Sequence, residues 1–154
     1  MSNDRILEAL KELEDNLQYA SKINEEVSKA SVGWHIAHST KVFSAICKNF
    51  ANSTPDDYIK KFNSNRFKIK LIRHIPRGIG KAPKSVATEE IPTSEEIANY
   101  IAKCKESYAQ ILKLSGNHYS EHPHFGHLNK RNTKWFLHLH TLHHLKIIRE
   151  IVAK

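Results

Sequence analysis

Apolar side chains recur along most of this chain at steps of three and four. That spacing builds one-sided helices, whereas a strand would need steps of two. From Asn3 to about Lys29 the repeat runs through Ile6, Leu10, Leu13, Leu17, Ala20, Ile23 and Val27, with Glu and Lys on the opposite face. A second helix is predicted from an N-cap at Ser31 to about Asn52, with Trp34, Ala37, His38, Val42, Ala45, Ile46 and Phe50 facing inward. Thr93 followed by Glu96 spells a capping box. It opens a third helix through Ile97, Ile101, Cys104, Tyr108, Ile111 and Leu112 to about Leu114, closed by Gly116. The last helix spans about Lys130 to Ala153, with Leu137, Thr141, His144, Ile148 and Ile151 inward.

Four long amphipathic helices in 154 residues predict a single all-α domain, residues 1–154, folded as a four-helix bundle. The first-to-second and third-to-fourth connections are short, which suits antiparallel neighbours. Between the second and third helices lie about forty residues, from Ser53 to Pro92, long enough to cross the bundle and allow an up-down-down-up order. Within that crossover, Tyr58 to Ile72 is predicted to carry a short helix packed through Ile59, Phe62, Phe67 and Leu71, and Pro76 to Lys84 is predicted to be a loop. His118 to Asn129 is predicted to be a second loop, before the last helix.

With 40% hydrophobic and 26% charged residues, the composition favours neither disorder nor a membrane protein. No apolar run approaches the ~20 residues of a spanning helix, and the charged first residues do not resemble a secretion signal. A cytoplasmic protein is the expectation. Cys47 and Cys104 are distant in sequence and form no CxxC pair, so they are expected to be buried structural thiols.

The eleven histidines are the chemical signal. His140 and His144 are four apart and project from one face of the last helix, the face shared by Leu137, Ile148 and Ile151. His38 lies on the inward face of the second helix. One inward histidine is ordinarily a hydrogen-bonded core residue. Three, where apolar residues would fill the space at lower cost, point to a shared metal ion that satisfies their ring nitrogens together.

These residues also carry a family likeness. WHIAH, Trp34 to His38, resembles the second-helix signature of the DinB/YfiT-like superfamily, and HTLHH, His140 to His144, resembles its last-helix motif. HPHFGHL, His122 to Leu128, resembles a branch carrying a His-Pro-x-Phe-Gly element before the final helix. The resemblance implies a DinB-like bundle whose metal ligands are His38, His140 and His144. It implies a divalent ion, with zinc or nickel favoured over iron or manganese. It further implies a thiol S-transferase or hydrolase acting on a small molecule, with a low-molecular-weight thiol as co-substrate, and a homodimer. Three neutral ligands would leave the ion's charge uncompensated, lowering the pKa of a bound water or thiol. Relatives often continue the last motif with an Arg-Gly-Gln-like segment; here Leu145, Lys146 and Ile147 stand instead.

Other signals compete. His35 and His143 could serve as proton donors or as partners of the ligands, or lie on the surface. His118, His122, His124 and His127 form a second cluster, read chiefly as a turn that covers one end of the bundle. The formal charge is +8, and between Tyr58 and Thr88 nine Lys or Arg (Lys60 to Lys84) occur without an acid. This stretch suits a solvated loop better than a nucleic-acid surface, because no helix-turn-helix, zinc-finger or RNA-binding motif accompanies it. The alternative to an enzyme is a non-catalytic bundle that binds metal or presents its basic surface to an anionic partner.

Overall fold

Side-chain caps set where the helices begin. The computed structural model describes residues 4–78 and 90–154. Helix α1 (Arg5–Asp15) starts where the Asp4 carboxylate accepts the Ile6 N–H, and α2 (Val32–Ala51) where the Ser31 hydroxyl accepts that of Trp34. Asn63 caps α3 (Ser64–Ile72) in the same way, and Asn129 caps α5 (Lys130–Ala153). Helix α4 (Ser94–Lys113) carries both halves of the capping box, Thr93 bonding the Glu96 backbone and Glu96 bonding back. Each cap satisfies donors that the first turn leaves without an intrahelical partner.

The chain is mostly helical, with five α-helices and one small sheet among the described residues. Strands β1 (Tyr119–His122) and β2 (Gly126–Asn129) pair antiparallel, His122 opposite Gly126, where a loop was expected. Pro123 to Phe125 make the turn, and Gly126 takes φ 69°, a conformation that costs glycine little. The His122 ring accepts the backbone N–H groups of His124 and Phe125 through Nδ1, which fixes that turn.

Helix α1 is shorter than the periodicity predicts. It ends at Asp15, a 3-10 turn follows over Asn16–Tyr19, and Ile23 is exposed. Tertiary hydrogen bonds override the pattern: the Ala20 and Lys22 carbonyls accept the first free N–H groups of α2, those of Gly33 and Val32, at 2.9 and 3.0 Å. A Cβ at Gly33 would sit 3.0 Å from the Ala20 oxygen, so a larger residue would push that carbonyl back by a few tenths of an ångström.

Helices α1 and α2 each pack against both α4 and α5, so the main helix packings run between the two halves of the chain. The expected neighbours, α1 with α2 and α4 with α5, are not among them. Leu10, Leu13, Ile36, Phe43, Ile97, Ile101, Leu137 and Ile148 lie in the shared core. On α2 the inward stripe differs from expectation, with Phe43 buried and Ala45 exposed. On α4, Leu112 is exposed as well.

The α3 region corrects the sequence reading most. Ile59, Phe62, Phe67 and Leu71 all face solvent, Phe62 and Leu71 at 72% exposure. Helix α3 docks instead through polar groups. The Arg66 guanidinium donates to the carbonyls of Phe125, His127 and Lys61, and the Lys70 ammonium lies 5.1 Å from the Trp135 ring. Ile69 alone of its apolar residues packs on the core. Of the Pro76 to Lys84 loop, only Pro76 to Gly78 lies within the described residues; Lys81 and Lys84 lie outside them.

Cys47 and Cys104 are free and buried, with pKa values pushed up by burial to about 12 and about 11, as suits structural thiols. No helix among the described residues is long and apolar enough to cross a membrane.

Candidate metal centre

Helices α2 and α5 pack face to face, and their contact brings the three inward histidines together. His140 and His144 stack one turn apart on α5, ring centroids 4.8 Å from each other. The His38 ring reaches across from α2, 5.5 Å from His140 and 4.9 Å from His144. Trp34 lies parallel to His38, centroids 5.0 Å apart and planes 3° apart, and so limits its rotation. One nitrogen from each of the three rings falls within 4.8 Å of the others. Bonds of ~2.0–2.1 Å to a tetrahedral zinc place ligand nitrogens about 3.3 Å apart, so ring movements of about an ångström complete such a sphere.

The electrostatics suit ligation. Burial, with a smaller contribution from the His38 ring, pushes the pKa of His140 down to about 3. Burial also holds His144 well below the ordinary histidine range, with the neighbouring imidazoles His140 and His38 adding to the effect. Both rings are therefore neutral near pH 7, with a lone pair free for a cation. Among the described residues no carboxylate or thiol joins the group, so the donor set is three imidazole nitrogens.

The sequence left His35 between two readings; the structure buries it beside the centre, 4% exposed. Its Nδ1 lies 3.0 Å from Nδ1 of His144, and its Nε2 lies 2.9 Å from the Ser28 hydroxyl. This chain dictates the protons. If His144 turns Nε2 to a cation, its Nδ1–H donates to His35 Nδ1, and His35 Nε2–H donates to Ser28 Oγ. The Ala30 N–H, 3.1 Å away, holds that oxygen in place. Ligating histidines are commonly oriented through their second nitrogen in this way. Burial lowers the His35 pKa to about 4, so it too stays neutral. His143 is half-buried and hydrogen-bonded to the Ile75 backbone.

The other histidine cluster does not converge on a point. His118 contacts the Ser53 hydroxyl, His127 stacks on Tyr119 and accepts the Ile59 N–H, and His122 stacks on Phe125. His124 is exposed. The His122 and His127 rings brace the hairpin, in keeping with the turn expected from the sequence. The role of His35 was legible in part, because Trp34-His35 puts a second imidazole one turn before His38. Nothing in the sequence placed Ser28 at its far side.

Compared with known proteins, the chain matches no family model, no curated protein and no solved structure.

Proposed function

We propose that this chain is a DinB-like metal-dependent enzyme in which His38, His140 and His144 hold a divalent ion, zinc or nickel. The observation that carries the reading is the convergence of three imidazoles from two helices on one point, two of them held neutral by burial. The four long helices are inferred to form an up-down-down-up bundle, with the segment between α2 and α4 as its crossover. The histidine motifs and their order along the chain support the family reading.

Bound there, a divalent ion with an open position supplies a Lewis acid that lowers the pKa of a water or a low-molecular-weight thiol. The chain's own residues do the rest. His38 is steadied by Trp34, and His144 is aimed by His35, so the donor atoms are arranged before an ion arrives. The buried Phe136 ring, 5.6 Å from that of His140, helps keep bulk water away, which strengthens local electrostatic interactions. The substrate is a small molecule, and the reaction is S-transfer or hydrolysis.

Metal analysis of the purified protein beside a His140→Ala, His144→Ala double variant tests the site. The expected result is near-equimolar divalent metal in the parent and its loss in the variant. Equal and negligible metal in both would remove the site. Metal-dependent turnover in either of two assays, hydrolysis of a chromogenic ester or conjugation of a low-molecular-weight thiol to an electrophilic arene, supports the enzymatic reading. A metal-loaded protein inactive in both, with a fourth protein ligand closing the sphere, favours a non-catalytic metal-binding bundle.

A further inference from the structure

After α3 the chain turns back over α5. Residues Arg73 to Arg77 cross Leu139, Leu142, His143 and Lys146, which share one face of that helix. Between them lies a cavity of about 430 Å³, the size range of small-molecule sites. Its wall carries Arg73, Arg77 and Lys146 together with the imidazoles of His74 and His143, and among the described residues no carboxylate lines it. Leu139, Leu142, Ile75 and Pro76 make the remainder apolar.

One of the three cations is held in place by an ion pair. The Arg77 guanidinium donates two hydrogen bonds to Glu150, at 3.0 and 2.7 Å, which fixes its plane from outside the cavity. That ion pair compensates one of the three formal charges and leaves Arg73 and Lys146 at the wall. Arg73 ends α3 in the left-handed region at φ 59°, a conformation that residues other than glycine adopt at a cost. Like charges around a concave, partly apolar surface focus a positive potential into it, and an anion there relieves their repulsion.

We propose that this cavity binds a small amphiphilic anion, a carboxylate or phosphate ester with an aromatic or branched aliphatic body. The charged end lies on Arg73 and Lys146, and the body lies on Leu139 and Leu142. The His143 ring lines the cavity and is 5.0 Å, centroid to centroid, from that of His144, so the bound anion lies beside the histidine centre. As a substrate site the cavity rests on the function proposed above; as an anion site it rests on its own walls.

Calorimetric titration of the full chain with phenyl phosphate, benzoate, inorganic phosphate and benzylamine tests it, in chelator-treated and zinc-loaded protein. Phenyl phosphate and benzoate should bind. Inorganic phosphate, lacking the apolar body, should bind at least tenfold more weakly, and benzylamine should not bind. Because each charge-assisted hydrogen bond is lost separately, Arg73→Gln and Lys146→Gln should each weaken phenyl phosphate by about tenfold. Both side chains are exposed, and an unchanged circular dichroism melt shows that the variants fold. Benzylamine binding as tightly as phenyl phosphate, or a double variant with parental affinity, would overturn the proposal. Anion binding by a protein that takes up no metal upholds the cavity while the metal reading fails. Zinc binding without anion binding does the reverse.

Discussion

Replacing His35 by Phe keeps a buried ring and removes both nitrogens that link His144 to Ser28. His144 Nδ1, now 3.0 Å from its acceptor, would face carbon, and its tautomer would no longer be fixed. Loss of such an orienting partner typically costs 10–100-fold in metal affinity, which converts to about 1.4–2.8 kcal/mol. The metal-free protein should respond less. Two hydrogen bonds of roughly 0.5–1.5 kcal/mol each disappear, while a buried polar ring gives way to an apolar one, so the terms partly cancel. Ser28→Ala removes only the far end of the chain and leaves His35 on His144, so it should weaken zinc only a few-fold. Competition with a chromophoric chelator measures affinity, and urea unfolding of the metal-free protein measures stability. A His35→Phe variant with parental zinc affinity would refute the orienting role. Equal losses in affinity and metal-free stability would reduce His35 to a packing residue.

Three other outcomes are expected. The Ser39 hydroxyl is buried without a hydrogen-bond partner among the described residues, so Ser39→Ala should raise the unfolding free energy by about 1 kcal/mol in urea titration. Burial lowers the pKa of His122 from 6.5 to about 4 in the folded chain. The unfolded chain therefore binds more protons between those values, and stability should fall as pH drops from 6.5 towards 4. His122→Asn, which keeps a side-chain acceptor for the turn but cannot protonate there, should show a shallower acid loss in pH-dependent melts. Zinc at one hundred times its dissociation constant should stabilise the chain by about 2.7 kcal/mol, reversibly with chelator; a variant lacking all three histidines should show no shift in melting temperature.

What the sequence made legible follows from the range of the forces involved. Ser31 and Thr93 act within one helical turn, and their caps lie where local chemistry demands. The burial of Ile97, Ile101 and Cys104 and of Leu137, Ile148 and Ile151 was equally plain, because one helical period sets it. Helix α1 was read too long because the bonds that stop it come from Val32 and Gly33, more than ten residues away. Residues 59–71 were read inside out. Their pattern is amphipathic, yet the docking groups are Arg66 and Lys70, whose partners Phe125, His127 and Trp135 lie across the fold. The hairpin was missed because four-residue strands give too few alternations to register beside the Pro123 and Gly126 turn signals. The histidine triad was legible because two of its members share one helix at a spacing of four, so only His38 had to be placed by tertiary packing. The cation-lined cavity was not, since Arg73 and Lys146 share one wall only when the chain after α3 returns to α5.

Zinc-edge X-ray absorption of the loaded protein tests the central claim most directly, because it reads the atoms around the ion. The account predicts three imidazole nitrogens at ~2.0–2.1 Å with one further light atom, and loss of that signature when His38 is replaced by Ala. A sulfur shell at ~2.3 Å, or a spectrum that the His38→Ala substitution leaves unchanged, would contradict it.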